Sequence, residues 1–331
     1  MSKIRKLYYF DKKKTMEMVS FLNNHSGDNY LCGIMFNPFI MLHHLLPLRF
    51  KYLPESYVLQ DKKEIKGLIT VAPNRSVQKK VEIKKLFFEE KAYEYAYDLV
   101  QYAVSRYKAM GATSVVVKVD DYLPELTTLF VSKCGFSQIS YEKLWRITKF
   151  SEVKYDKNNY RYFRNSDAQT IANINNDSVL PHFRPLLSAD AKEYKDSLFT
   201  GLSYYSEYKY TIIDKKTGNI TGCIIIRTYD NENYLVDVIQ NDWAFIDINE
   251  ILAYATDKIK HRHKKFGLFV KSKRYTSLGE KYEKVFMENG YECVQNQLVL
   301  TNSSAKVLRV EEKTGKYTAV GDFYPSNVMP T

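Results

Sequence analysis

The order of elements implied by this sequence is written twice. Residues 4–147 read as strand, helical region, hairpin, third strand, long helix, strand, helix ending in glycine plus an aromatic, and two closing strands. Residues 160–301 read the same way. The landmarks keep nearly one spacing: Leu7 and Arg161 are 154 positions apart, Val58 and Tyr210 152, Gly135 and Gly290 155, and Leu144 and Val299 155. Few residues are shared between the halves, so the repeat lies in element order. Such a chain is expected to fold as two copies of one α/β unit, and its length of 331 residues suits two domains. The expected boundaries are 1–150 and 160–301. Between them runs a polar linker, 151–159, with Lys154, Asp156, Lys157, Asn158 and Asn159, and a tail follows at 302–331.

Periodicity carries the element assignments. Ala92, Ala96, Leu99, Val100, Ala103 and Val104 recur at helical spacing, and Gly111 is placed to end that helix. Ile248, Ile251, Leu252, Ala255 and Ile259 repeat the stripe. Tyr57–Gln60 and Ile65–Ala72 flank a polar turn and read as a hairpin, followed by a third strand at Val81–Phe88. Ser114–Val119 is a β-branched strand, and two closing strands are expected at Phe136–Ile139 and Tyr141–Ile147. In the second half Asp167 is an expected N-cap for a helix through Val179.

Composition narrows the partners. Lys plus Arg is 49 against 38 acids, a net charge of +11. That balance suits an anionic ligand, but the lysines are scattered among acids, as on an ordinary solvated surface. Cys32, Cys134, Cys223 and Cys293 form no CxxC pair and no zinc-ligand spacing, so free thiols in a reducing compartment are expected. The apolar run around Phe36 to Leu48 is broken by Pro38, His43, His44 and Pro47, and Leu7–Phe10 is too short for a secretion signal. A cytoplasmic protein without a membrane partner is the expectation. No P-loop, triad-like or HExxH pattern occurs.

The doubled order resembles the GNAT acyltransferase fold. The resemblance rests on Leu129-Phe130-Val131-Ser132-Lys133-Cys134-Gly135-Phe136 leading into Tyr141-Glu142-Lys143-Leu144-Trp145, and on the counterpart Val285-Phe286-Met287-Glu288-Asn289-Gly290-Tyr291. It covers roughly residues 4–147 and 160–301. It implies an α/β chain of two tandem GNAT-like domains, each a mixed, mostly antiparallel sheet flanked by helices. It also implies acetyl-CoA or another acyl-CoA as co-substrate, with the pyrophosphate held where the third long strand turns into the long helix. Backbone N–H groups and the helix dipole attract phosphate there.

By that resemblance the pyrophosphate turn is Lys91-Ala92-Tyr93-Glu94-Tyr95-Ala96. Lys91 takes the family's Gln/Arg place, Ala96 the last small place, and Glu94 the central glycine place. The second half, Gln240 to Ile248, has no glycine in that stretch. The position of the family's frequent tyrosine acid holds Val131 and Phe286. General-base candidates on the preceding strands are Glu82 and Asp237. His43 and His44 border the expected acceptor side, and His261-Arg262-His263-Lys264-Lys265 closes the second long helix, where cations complement its dipole. The leading expectation is an N-acyltransferase acting on a small-molecule or peptide amine, with the first half as the active copy. Two other readings stay open: an inactive GNAT-like binding module, and a transferase using aminoacyl-tRNA, the one nucleic-acid partner considered.

Overall fold

The computed structural model describes residues 2–22, 34–36, 40–41, 53–74, 77–89, 91–149, 153–196, 205–240, 242–243, 246–303, 310–313 and 316–319. His43 and His44 lie outside them.

The first half runs β1 (Lys3–Lys6), α1 (Lys12–Leu22), β2 (Glu55–Asp61), β3 (Glu64–Asn74), β4 (Val77–Phe88), α2 (Tyr93–Ala109), β5 (Ser114–Asp120), α3 (Pro124–Thr128) and β6 (Ser137–Arg146). The second runs β7 (Tyr160–Tyr162), α4 (Ala168–Ser178), α5 (Arg184–Leu187), β8 (Ser206–Ile213), β9 (Ile220–Thr228), β10 (Asn233–Gln240), α6 (Ile248–Lys260), β11 (Gly267–Lys273), α7 (Gly279–Glu288) and β12 (Glu292–Ser303). In the tail, β13 (Val310–Lys313) pairs with β14 (Lys316–Ala319) as a separate hairpin.

Local chemistry explains these elements. The β2–β3 turn places Lys62 and Lys63 at φ 46° and 73°, the paired left-handed geometry that matches the twist of a two-residue hairpin. α2 buries Ala96, Leu99, Val100, Ala103 and Val104 along one stripe, and α6 does the same with Ile248, Ile251, Leu252, Ala255 and Ile259. α3 widens into a π-turn at Leu129–Lys133 before Gly135 reverses the chain at φ +69°. At α6's end His261 faces Asp257 at 3.6 Å, and Arg262 lies 3.7 Å from the Tyr208 ring centre.

The two sheets are one. The strand order is β1-β2-β3-β4-β5-β12-β6-β11-β10-β9-β8-β7, mostly antiparallel. The last strand of each half has crossed to the other: β12 pairs with β5 from Ser303↔Ser114 to Gln297↔Asp120, and β6 pairs with β11 from Arg146↔Phe269 to Glu142↔Lys273. Each core is therefore completed by the opposite half. Leu300 of β12 packs under α2 with Leu99, Val115 and Phe130. Trp145 of β6 packs with Val270 and Phe286 beside α6 and α7, and its indole Nε1–H donates to Ser272 Oγ at 2.9 Å. Burying one such side chain contributes about 1.5–3 kcal/mol, so the exchange ties the stability of each half to its neighbour.

The structure corrects three expectations. The two closing strands after Phe136 are one strand, β6, whose pairing with β12 slips by one residue around Ile139 and so turns the alternation over. Asp167 stands at the N-cap of α4, as expected, but its side chain does not cap the helix. It accepts instead from Arg164 N (2.9 Å) and from both Nη atoms of Arg161 (2.7 and 2.9 Å). The repeat also extends to residues after all. Asp11 accepts from Tyr8 N (2.9 Å) and from both Nη atoms of Arg5 (2.7 and 2.8 Å) in the same arrangement, 156 positions earlier. Tyr155, from the stretch read as a linker, packs edge-on against Tyr160 and Tyr254.

Candidate active site

β4 and β5 run parallel and pair only from Lys80↔Ser114 to Ile83↔Val117. Beyond that point they part. The cause lies in β4: Thr70 pairs with Lys85 and Val71 with Ile83, so Lys84 is an extra residue, a β-bulge. It reverses the alternation. Val81 and Ile83 face the core under α2, and after the bulge Leu86 and Phe88 face it instead. β10 and β11 also part, after Val236↔Val270, but β10 keeps an unbroken ladder with β9 and carries no bulge.

The turns after these two strands differ as well. Lys91 takes φ 64°, and α2 begins at Tyr93 with Ala92 as N-cap and no side chain capping its first N–H groups. Tyr93 and Glu94 are exposed, and Ala96 is buried in the core. In the second half Asp247 caps α6, accepting from Asn249 N at 2.7 Å. A carboxylate thus already sits on that helix N-terminus.

Glu82 and Asp237, picked from separate halves, line one cavity of about 310 Å³ on the sheet face opposite α2 and α6. The cavity spans the junction of the halves and is covered by the segment after α4, with Val179, Leu186 and Tyr194 among its walls. Between the two carboxylates stand residues that sequence reasoning did not single out: Lys118 of β5, Glu142 of β6, Lys271 of β11 and Tyr275 just after it. Val117-Lys118-Val119 reads as a strand with a solvent face, and only the strand exchange turns that face toward a second half. Lys91, Ala92, Tyr93, Glu94 and Ala96 are not among the cavity's lining residues.

The charges are paired. Lys118 Nζ donates to Glu142 Oε2 at 2.7 Å and Tyr275 OH to Glu142 Oε1 at 2.7 Å. Lys273 Nζ donates to Asp237 Oδ1 at 2.6 Å, and Lys84 to Glu82. Arg227 is matched from behind by Glu207 at 2.7 Å. Burial alone would raise Glu82, but the Lys84 and Lys118 ammonium charges outweigh it and hold the carboxyl at about 2. Asp237 is likewise lowered, burial being overcome by Lys273 and Arg227. Lys271 is pushed down to about 8, first by Lys118 and then by burial. Val131, at the place of the family's tyrosine, is partly exposed, and Phe286 is fully buried; neither carries a proton to give.

The sequence matches no family model and no curated protein. The fold, however, matches solved structures along nearly its whole length. A tandem GNAT protein from the clavulanic acid biosynthesis pathway superposes with a TM-score of 0.62 at 10% identity, covering 92% of this chain and 99% of that one. A GCN5-related N-acetyltransferase from Sphaerobacter thermophilus gives 0.60 at 9% identity, covering 91% and 95%. A Drosophila protein of known structure gives 0.55 at 10% identity, covering 91% and 98%. Among the described residues no helix is long and apolar enough to cross a membrane. Along nearly its whole length the chain has the fold of these tandem GNAT and GCN5-related proteins.

Proposed function

We propose that the protein is an acyl-CoA-dependent N-acyltransferase whose first half holds the acyl donor and whose acceptor is a small amine. One observation carries this reading: the Lys84 bulge parts β4 from β5 and opens that gap onto the cavity that contains Glu82. The residues of the first half fit the donor. The N-terminus of α2, with no side-chain cap, leaves N–H groups and a positive dipole end for a pyrophosphate; Ala92 puts no bulk there, and the first-turn Glu94 is turned out to solvent. The second half does not fit it, because Asp247 occupies the corresponding helix end. The cavity volume lies at the low end of about 300–1,000 Å³ for small-molecule sites, which favours a small amine over a macromolecular acceptor.

Acyl-CoA, when bound, supplies the thioester whose C–S bond gives way to the amine nitrogen. The chain's own part is to deliver that nitrogen unprotonated and in place. Held at about 2, Glu82 is a firm counter-charge for an arriving ammonium. It is a poor proton acceptor, since the gap to an amine near 10 amounts to about 11 kcal/mol. The proton leaves by water instead, helped by the surrounding lysines, which disfavour any further positive charge. Lys271 already records that effect on an amine in this cavity by sitting at about 8. Positioning then does the remaining work.

Calorimetry of the full chain with acetyl-CoA is the test, paired with release of free CoA in the presence of small amines. Binding by the wild-type chain and its loss in Ala92→Asp are expected. No heat from the wild-type chain and no CoA release with any amine would overturn the reading.

A further inference from the structure

The strand exchange creates a charge arrangement that neither half could build alone. β5 and β11 lie three strand spacings apart, about 14 Å, with β12 and β6 between them. Lys118, reaching across β12, and Lys271, from the strand next to β6, both meet a single carboxylate oxygen, Glu142 Oε2, at 2.7 and 3.4 Å. The other Glu142 oxygen is taken by Tyr275 OH. Glu82 is engaged by Lys84, and Asp237 by Lys273. Among the described residues Lys271 is therefore left sharing an oxygen already held more closely by Lys118. Its side chain is 22% exposed, and it lines the cavity. A cation in that position is completed by an anion brought in from outside.

We propose that Lys271 and Lys118 form an anion subsite across the junction of the halves, so that the acceptor is a small amine carrying a carboxylate or phosphate group, its ammonium end toward Glu82 and its anionic end on the two lysines. This rests on the acyl-transfer reading for the reaction but not for the subsite itself. Glu142 is a positioning residue: 3% exposed, it holds both lysines from the cavity's wall. Tyr275 in turn fixes Glu142. The two ends of the cavity thus offer opposite charges to one small molecule, and a neutral-tailed amine would leave Lys271 unmatched. The ammonium alone is common to every amine, so discrimination among amines falls to the lysine end.

The test uses the full chain, acetyl-CoA and matched acceptors differing in the anion: β-alanine against propylamine, and ethanolamine phosphate against ethanolamine. For at least one pair the anionic member is expected to have a kcat/KM about tenfold higher or more, mostly through KM. The pair that responds identifies carboxylate or phosphate. Lys271→Met and Lys118→Met should collapse that ratio toward one, Lys271→Arg should restore most of it, and the surface change Lys284→Met should leave it alone. Equal use of both members by the wild-type chain, or equal loss for both in Lys271→Met, overturns the subsite. A second measurement needs no turnover: protection of Lys271, relative to the exposed Lys284, from acetic anhydride by inorganic phosphate or propionate, read by mass spectrometry. Protection without acyl transfer to any acceptor keeps the subsite and overturns the reaction. Acyl transfer without protection keeps the reaction and overturns the subsite.

Discussion

The two gaps in the sheet, β4 from β5 and β10 from β11, share a topology and differ in two small things. Lys84 bulges out of the ladder beside the first, which shifts again between Pro73 and Asn74, while the ladder beside the second runs unbroken from Tyr234↔Thr228 to Gln240↔Gly222. One carboxylate, Asp247, caps the helix after the second, while the helix after the first has no side-chain cap. A fold can therefore be copied whole while the features that suit a phosphate survive on one side only. Backbone topology is held by many buried side chains, whereas a bulge or a cap depends on one residue. The comparison is open to direct attack at those residues.

Deleting Lys84 should have the largest effect. It restores strict alternation, and either Leu86 and Phe88 or Val81 and Ile83 must then leave the core. A loss of about 3–5 kcal/mol of stability is expected, together with loss of acetyl-CoA binding, measurable by denaturant titration and calorimetry. Retained binding at wild-type affinity would remove the bulge from the argument.

Next come the paired clamps. Asp11→Asn and Asp167→Asn each leave a partly buried arginine partner unmatched, at a cost of about 2 kcal/mol. Asp167 should cost more, because it also accepts from Thr211 Oγ1 at 3.0 Å. Burial works against both carboxyls, but arginine and backbone hydrogen bonds hold them below the ordinary 3.8. Their contribution is thus complete above that value and is lost as pH falls through the lower folded values. Unfolding midpoints of the two variants should converge with the wild type only in that acid range, and parallel curves at all pH would refute the linkage.

A reciprocal pair sharpens the comparison itself. Ala92→Asp gives the first helix the cap of the second and should weaken acetyl-CoA binding about 30-fold, a cost of about 2 kcal/mol. Asp247→Ala should leave that affinity untouched and lower stability by about 1 kcal/mol. If Asp247→Ala changed the stoichiometry of binding instead, the second gap would count as a donor site as well.

Much of this was legible in the sequence, and the illegible part has a common cause. Helical stripes and β-branched runs are local signals, so α2, α6 and β5 stand close to where periodicity puts them. Which strand lies next to β6 is not a local property. Trp145 would look equally buried beside β5 or β11, because alternation reports a face and not a neighbour. The same blindness hid the cavity. Lys118, Glu142 and Lys271 are polar positions on alternating strands, indistinguishable from solvent-facing ones until the halves are joined. Glu82 and Asp237 were identifiable as charged residues on buried strands, but not as walls of one space. The Arg5–Asp11 and Arg161–Asp167 clamps were within reach. They keep a constant offset of 156 and would have emerged from aligning charged pairs rather than apolar landmarks.

The smallest expected effect concerns pH and bears on the junction between the halves. Lys271 sits at about 8, lowered first by Lys118 and then by burial, against the attraction of Glu142, Asp237 and Glu82. Lys118 is raised instead, since Glu142 and Glu82 outweigh its burial, and Tyr275 is pushed up by burial and Glu142. As pH rises through 8, Lys271 is thus the group that gives up its charge, while the carboxylates stay ionised and Lys118 stays cationic. The preference for an anionic over a neutral acceptor should then fall by about fivefold between pH 7 and 9, less than the full loss expected when either lysine is removed. Lys271→Arg should hold the preference flat over that range, because a guanidinium keeps its proton. A ratio that falls equally in Lys271→Arg would place the titration elsewhere, and the junction would lose its part in choosing the acceptor.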